Sequence, residues 1–91
     1  MTEERTFRLD VISPVGIVYE GDVTSVVAKG AEGSMGILRD HAPLLTWLKK
    51  GTFKIKESGD KVVDLELEGG FMEVRSNNVV VLTETPQKSE S

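Results

Sequence analysis

The sequence contains no cysteine and a single histidine, His41, among its 91 residues. The absence of cysteine excludes disulfide scaffolds, thiolate zinc sites and thiol catalysis. One histidine does not form a metal site that needs several imidazole ligands. Chemistry that depends on these two residue types is therefore excluded from the start.

Long apolar runs are also missing from the chain. No stretch approaches the roughly 18 consecutive apolar residues that a membrane-spanning helix needs. The opening segment MTEERTFRLD has acidic residues and no apolar run, unlike a secretory signal. We therefore expect a soluble, cytosolic protein that is still able to dock onto a membrane complex.

Positive charge is in deficit, with 15 acidic against 11 basic side chains and a formal net charge of -4. This sign disfavours nonspecific binding to nucleic acid or anionic lipid. A basic stretch does run from Lys49 to Lys61, but only Trp47 and Phe53 interleave with it, and alternation assigns both to the core. An oligonucleotide-binding barrel needs exposed aromatic side chains beside a basic groove. We expect no nucleic-acid binding, and a nucleic-acid- or carbohydrate-binding barrel remains the alternative function.

Apolar and polar residues alternate with a period of two in residues 7–11, 52–56 and 62–67. Such alternation predicts β-strands with one buried face. Two further runs, 23–28 and 79–82, are rich in β-branched residues and nearly continuous. Continuous runs of this kind are typical of strands that are covered on both faces.

Turn residues separate these runs and complete the fold prediction. Residues 58–60 and 77–78 each lie between two alternating runs, which predicts β-hairpins. Residues 42–50 contain Pro43 and are too short for a typical helix, so we predict a turn that enters a strand. The expected fold is all-β, a β-sandwich or flattened barrel, with one domain over residues 1–86 and a polar tail over 87–91.

The adjacent residues Asp40 and His41 are the one pair that suggests acid–base chemistry. A catalytic triad also needs a nucleophile within reach of the base, and Ser34 lacks the context of a nucleophile elbow. Neighbouring residues on an extended chain point to opposite faces, so Asp40 is not expected to orient His41. We assign no catalytic residue and expect no enzymatic activity from the chain itself.

Three carboxylates, Asp64, Glu66 and Glu68, follow each other at a spacing of two and are expected to line one strand face. A calcium site also needs a loop that wraps the ion with backbone carbonyls. We favour a solvated face on which these residues pair with Lys54 and Lys56 of a neighbouring strand. No metal or cofactor is predicted.

The segment GAEGSMG, residues 30–36, is the most unusual local feature. Neither a Lys-Ser or Lys-Thr pair nor a helix follows it, so it is not a phosphate-binding loop. Two interpretations remain open, a wide turn that needs positive φ angles and an exposed recognition loop. The residues alone thus predict a non-enzymatic β-domain that binds another protein.

The same segment, extended to Leu38 and followed by HAPLLT at 41–46, resembles the epsilon subunit of rotary ATP synthases. Three more stretches agree with that family, LDVISP at 9–14, GGFMEV at 69–74 and NVVVL at 78–82. The resemblance implies a flattened β-sandwich of ten strands. It also implies a non-catalytic part of the central stalk, which binds the gamma subunit and the membrane rotor ring (c-ring) and couples ion flow to ATP synthesis. Its place is then peripheral, at the cytoplasmic face of a bacterial plasma membrane.

Contact residues follow from the resemblance by position. It implies that Glu32, Gly33, Ser34 and Met35 contact the rotor ring. Family members often have an acidic residue where this chain has Ser34, so a hydroxyl hydrogen bond replaces a charged contact there. By position, Ser13, His41 and Thr46 lie near the gamma subunit and the ring, and we assign them to gamma. Leu38 and Leu44 are assigned to gamma for another reason: they cluster with Met35 beside the glycine-rich segment, where we expect exposed apolar anchors.

Length is the larger departure from the family. Most bacterial and chloroplast members continue into a carboxyl-terminal pair of helices that inhibits ATP hydrolysis and in some members helps to bind ATP. Here the chain ends five residues after Pro86. Two interpretations stay open, a naturally short form of the subunit and a piece of a longer chain. For a naturally short form we expect no inhibition by such a hairpin and no ATP site.

Overall fold

A computed structural model describes residues 5–84 of the chain. Eight strands and a single turn of 3-10 helix at Ser58–Asp60 account for most of this range, and no helix in it is long and apolar enough to span a membrane. The strands are β1 (Phe7–Ser13), β2 (Gly16–Gly30), β3 (Gly33–Ile37), β4 (Leu44–Leu48), β5 (Gly51–Glu57), β6 (Val62–Leu67), β7 (Gly70–Arg75) and β8 (Asn78–Thr83).

The strands form one sheet that folds onto itself as two layers sharing β2. The first layer has the order β3-β2-β5-β6 and uses the second half of β2. The other layer has the order β2-β1-β8-β7-β4 and uses the first half. All pairs are antiparallel except β1 with β8, which is parallel. The all-β class and the flattened sandwich are therefore confirmed.

The strand count within residues 5–84 is eight, whereas the family resemblance implied ten. The 15-residue strand β2 explains part of the difference, because it passes without interruption from one layer to the other. Its register against β5 shifts between Val23 and Ser25, which marks a β-bulge. The bulge resets the alternation, so that Val23 and Val26 are both fully buried although they are three residues apart.

The core lies between the two layers. Its members are the inward residues of nearly every strand: Phe7, Leu9, Val11, Val23, Val26, Ala28, Ile37, Leu48, Phe53, Ile55, Leu67, Met72, Val74, Val79 and Val81. Complete burial of a Phe53- or Ile55-sized side chain stabilises the fold by about 1.5–3 kcal/mol. The prediction that Phe53 is a core residue is confirmed, but the same prediction for Trp47 is wrong, because its side chain is largely exposed.

The two continuous apolar runs are not covered on both faces. Val27 in β2 and Leu82 in β8 are exposed, while Val26 and Val81 beside them are fully buried. The outer faces of both layers are open in the described part of the chain, so a β-branched run here has one buried side only. The prediction of two-sided burial is therefore wrong for this fold.

The predicted hairpins and the predicted strand after Pro43 are confirmed. Strands β5 and β6 are joined through Ser58–Asp60, where Gly59 has a φ of 80°. Strands β7 and β8 are joined through Ser76 and Asn77, whose φ angles of 47° and 63° are typical of a two-residue turn with left-handed backbone. Residues 44–48 form β4.

Candidate functional site

The glycine-rich segment forms a tight hairpin rather than a wide loop. Gly30 pairs with Gly33, which leaves Ala31 and Glu32 as the two turn residues between β2 and β3. Ser34 and Met35 therefore lie on β3, and a positive φ of 130° is needed at Gly33. The expectation of a broad turn is corrected, because the pairing of β2 with β3 continues up to the glycines.

The four residues assigned to the rotor ring have different exposures. Glu32, Gly33 and Ser34 are exposed, whereas Met35 is half-buried and packs against the core. The Met35 methyl group lies over Gly30, where it would clash with a Cβ. Glu32, Gly33 and Ser34 are thus accessible to a partner at the hairpin, whereas Met35 packs the base of the hairpin against the core.

The residues assigned to the gamma subunit do not share one exposed surface. Ser13 is buried, and its Oγ accepts a hydrogen bond from the Val15 amide and donates one to the Gly16 carbonyl, both at 3.2 Å. Leu44 is half-buried against the core and Thr46 is partly buried on the same inward side of β4. The remaining two, Leu38 (exposed) and His41 (partly buried), lie outside the strands, between β3 and β4.

Residues from both sets of assignments line an open groove of about 390 Å³, named here the β4 groove. It lies between the β2–β3 hairpin and β4. Its lining consists of Ala31, Glu32, Met35, Leu44, Leu45, Thr46 and Trp47. The structure therefore brings two predicted ring contacts beside two predicted gamma contacts, a neighbourhood that sequence spacing does not reveal.

Asp40 does not orient His41. The Asp40 amide donates to Asn77 Oδ1 at 2.6 Å, its carboxylate accepts from Asn77 Nδ2 at 3.1 Å, and the Arg5 guanidinium pairs with it at 2.6 Å. The hydrogen bond from Asn77 is the main cause that lowers the pKa of Asp40, and Arg39 and Arg5 add to it. His41 Nδ1 instead lies 2.7 Å from the Ala42 carbonyl. Asp40 thus links the β3–β4 connection to the β7–β8 turn.

The outer face of β5 and β6 is covered by paired charges. Lys54 Nζ lies 3.1 Å from Asp64 Oδ1, and Lys50 Nζ lies 3.7 Å from Glu68 Oε1. The predicted pairing of this acidic row with Lys54 is confirmed, whereas Lys56 pairs with Asp60 at 3.5 Å. Within residues 5–84 no cluster of acidic or histidine side chains is suited to hold a metal ion.

The outer face of the other layer carries a row of apolar side chains, named here the apolar stripe. Cross-strand pairing aligns one residue from each of five strands: Trp47, Phe71, Leu82, Ile12 and Ile17. Trp47, Leu82 and Ile17 are 67%, 52% and 62% exposed. The rings of Trp47 and Phe71 meet edge to face, with centroids 4.7 Å apart and an angle of 61° between their planes. Contiguous apolar patches of this kind mark interaction sites.

Charge increases along the same face away from the stripe. The next row across the layer is Leu45, Glu73, Val80, Asp10 and Glu20. Arg8, one row farther, bonds to Asp10 and Glu20 at 3.0 and 3.1 Å. The hydrogen bond to Asp10 is the main cause that raises the pKa of Arg8. The face therefore has one apolar end and one ionic end.

Sequence reasoning missed the apolar stripe. Residues 44–48 read LLTWL, so β4 is largely apolar on both sides and alternation does not say which side faces the core. The available signal was the surplus of large apolar residues on the polar side of several strands, such as Ile12 and Leu82. Only the register of the strands shows that these residues form a single row.

Comparison with known proteins places this geometry in context. Residues 6–88 match the family model of the ATP synthase delta/epsilon chain β-sandwich domain. The chain is 42% identical over 94% of its length to the ATP synthase epsilon chain of Desulforamulus reducens, of which it spans 64%. It is 39% identical over 91% of its length to the ATP synthase epsilon chain of Chlorobium limicola, of which it spans 94%.

Two solved structures have a similar fold. A chain in the Euglena gracilis mitochondrial ATP synthase structure of OSCP, F1 and the c-ring superposes with a TM-score of 0.81, at 21% identity over 91% of this chain and 52% of that one. A chain in the Tetrahymena thermophila mitochondrial ATP synthase central stalk and c-ring gives 0.73, at 21% identity over 92% and 67%. At this identity the likeness shows that the β-sandwich is shared.

Proposed function

Because this chain belongs to the ATP synthase delta/epsilon family, we propose that it is a non-catalytic subunit of the central stalk. In this role it binds the gamma subunit and the rotor ring and couples ion flow to ATP synthesis. Its location is then peripheral to the membrane, on the cytoplasmic side of a bacterial cell. The observation that carries the proposal is the exposed apolar row on a member of this family.

The apolar stripe is the surface we assign to the gamma subunit. Its exposed members are large, and Trp47 together with Phe71 forms a rigid aromatic pair at one end. Buried aromatic anchors contribute most to the affinity of protein interfaces. The stripe crosses five paired strands of one layer, so a partner that covers it contacts all five. A close-packed sandwich deforms little, which suits a part that transmits torque.

The β2–β3 hairpin is the part we assign to the rotor ring. Glu32 and Ser34 are exposed there and able to form polar contacts, while Gly33 lets the backbone turn tightly. Met35 anchors the hairpin base against the core. Of the residues assigned to gamma, Leu38 is exposed and His41 partly exposed between β3 and β4, whereas Ser13 acts through the conformation of the turn at Val15 and Gly16.

The alternative of a nucleic-acid-binding barrel has less support. Lys54 and Lys56 lie on the outer face of β5 and are neutralised by Asp64 and Asp60. The exposed Trp47 lies on the outer face of the other layer. Trp47 is therefore separated from Lys54 and Lys56, although binding of single strands needs stacking and basic side chains in one groove.

The test is size-exclusion co-elution of this chain with a gamma subunit from a matching ATP synthase. Co-elution as a one-to-one complex is the expected result. Separate elution, with both proteins shown to be folded by circular dichroism, would reject the proposal. Retention of the chain on heparin at moderate salt, together with separate elution, would favour the nucleic-acid or carbohydrate alternative.

A further inference from the structure

One edge of β4 is unpaired over most of its length. Strand β7 pairs with β4 on one side through all five residues. On the other side, β2 reaches β4 only at its end, where Gly30 pairs with Leu48. The β2–β3 hairpin then turns back at Ala31 and Glu32. The position beside the first part of β4, which a longer β2 would occupy, is therefore left open.

Backbone directions identify the groups at this open edge. The Trp47 carbonyl accepts from the Ala31 amide at 3.1 Å, and the Lys49 amide donates to the Lys29 carbonyl at 2.8 Å. In an antiparallel ladder, alternate residues direct both backbone polar groups to the same side. The amide and carbonyl of Leu45 therefore point toward the open edge. No backbone partner for them occurs in the part of the chain that the structure describes.

The edges of this sandwich differ in how they are protected. Edge strand β6 carries Asp64 and Glu66, and charged side chains are a common defence against unwanted strand pairing. Edge strand β4 has the sequence LLTWL, without a charge or a proline. An open edge of uncharged residues is a template for another strand.

The β4 groove lies directly beside this edge. Its walls are mainly apolar, formed by Met35, Leu44 and Trp47 among others, and Glu32 is the one ionisable residue among the lining residues that the structure describes. Leu45 and Trp47 also belong to the exposed face that carries the apolar stripe. A strand laid along the edge would thus direct alternate side chains into the groove and along the stripe.

We propose that the open edge of β4 receives an extended segment of the protein that binds the apolar stripe, by β-strand addition. The proposal rests on the proposed function, since it takes the stalk partner as the source of the segment. Main-chain hydrogen bonds to Leu45 supply affinity, and the β4 groove selects the side chains. The segment is apolar on its groove side, because the described walls of the β4 groove are mainly apolar, and it continues the surface of the apolar stripe.

The decisive experiment compares Leu45→Pro with Leu45→Ala in binding to the gamma subunit by calorimetry. Both variants lose the leucine side chain, but only proline also removes the outward amide. Proline is tolerated on an edge strand whose N–H faces outward, so the β4–β7 ladder is retained. A donor lost from a buried strand pair weakens binding about tenfold or more. We expect Leu45→Pro to bind about tenfold more weakly than Leu45→Ala.

Equal affinities of the two variants would overturn strand addition while leaving the proposed function intact. A gamma subunit that does not bind the unchanged chain would reject the proposed function, and strand addition with it. Thermal unfolding of both variants establishes that they are folded.

Amide exchange of the unchanged chain by NMR is the second measurement and needs no substitution. The Leu45 amide is expected to exchange rapidly in the free chain and slowly in the complex. The Thr46 amide, which faces β7, is expected to be slow in both. A Leu45 amide that still exchanges rapidly in the complex would overturn the proposal.

Discussion

The outer faces of the two layers both come from strands with alternating side chains, but one face carries mainly ion pairs and the other carries the apolar stripe. On β5 and β6 the outward positions carry Lys54, Asp64 and their neighbours, which pair with one another across the strands. On the five strands of the other layer, the outward positions align Trp47, Leu82 and Ile12 into the apolar stripe.

The contrast separates a face that stays solvated from a face that a partner protein can cover. Exposed ion pairs contribute little to stability but keep a face solvated and unattractive to apolar partners. An exposed apolar row contributes little to the isolated domain but stabilises a complex when a partner covers it. Binding at the outer face of β5 and β6 would thus bury ion pairs, whereas binding at the apolar stripe would bury apolar side chains.

The largest expected effect is the difference in stability between a core variant and a variant of the apolar stripe. Phe53→Ala should lower the free energy of unfolding by about 3–5 kcal/mol, because it leaves a cavity between the layers. Trp47→Ala should change it by about 1 kcal/mol or less, because the indole is mostly exposed and loses mainly its contact with Phe71. Denaturant unfolding of both variants measures this, and similar losses would mean that Trp47 is a core residue after all.

The next largest effect is expected on the affinity for the gamma subunit. Replacing Trp47 and Leu82 together by serine should weaken gamma binding by about 100-fold, since two anchors are removed from the stripe. The matched control replaces Val27 and Val62 by serine, because both are exposed apolar residues on the outer face of the opposite layer. Calorimetric titration should give an almost unchanged affinity for the control. Equal weakening in both pairs would remove the distinction between the faces.

Substitution of Met35 and Leu44 by serine tests the groove rather than the stripe. Both side chains are half-buried against the core, so their loss should lower stability as well as gamma affinity. We expect a decrease in the free energy of unfolding of about 1–3 kcal/mol together with weaker binding. Unchanged binding in a folded double variant would exclude the β4 groove from the interface.

A smaller effect is expected on the ion-paired face. Lys54→Ala removes the pair with Asp64, in which both side chains are about half exposed. Such pairs contribute about 0.2–1 kcal/mol, and salt screens them. Thermal unfolding at low and at high salt should therefore differ less for the variant than for the unchanged chain. A large loss at both salt concentrations would indicate packing by the lysine stem instead.

The smallest expected effect is the pH dependence of stability that comes from Asp40. Its pKa is lowered in the folded chain by the Asn77 hydrogen bond and by Arg39 and Arg5. A lowered carboxyl pKa stabilises the fold above the unfolded value of about 3.9, and this contribution is lost as the pH falls through the lower folded value. Melting temperatures between about pH 5 and about pH 2.5 should therefore fall less for Asp40→Asn than for the unchanged chain. Parallel curves would show that the Asp40 link does not depend on its charge.

Several strands and turns were predictable because their signals are local. Alternation in residues 52–56 and 62–67 gave strands β5 and β6 with the correct inward side, and the turn residues gave the hairpins between β5 and β6 and between β7 and β8. Pro43 correctly argued against a helix before β4. The family resemblance was also predictable, since it depends on residue identity and spacing alone, and the family match confirms it.

The errors have a common cause. Trp47 was assigned to the core, and residues 79–82 were expected to be covered on both faces, because an apolar side chain was taken as a buried one. The local sequence pattern shows the periodicity of a strand but not which residues pack against each of its faces. For residues 30–36 a wide turn and an exposed recognition loop both stayed open, since the extent of β2–β3 pairing is not encoded in the glycines alone.

The sequence by itself determined the all-β class, the family and the lack of residues for thiol or multi-histidine chemistry. These depend on composition and on patterns between near neighbours. Tertiary structure alone decided the apolar stripe, the β4 groove and the open edge of β4. Each of them requires residues from strands that are distant in the chain to be placed side by side, and strand register and layer closure are set by the packing of the whole core.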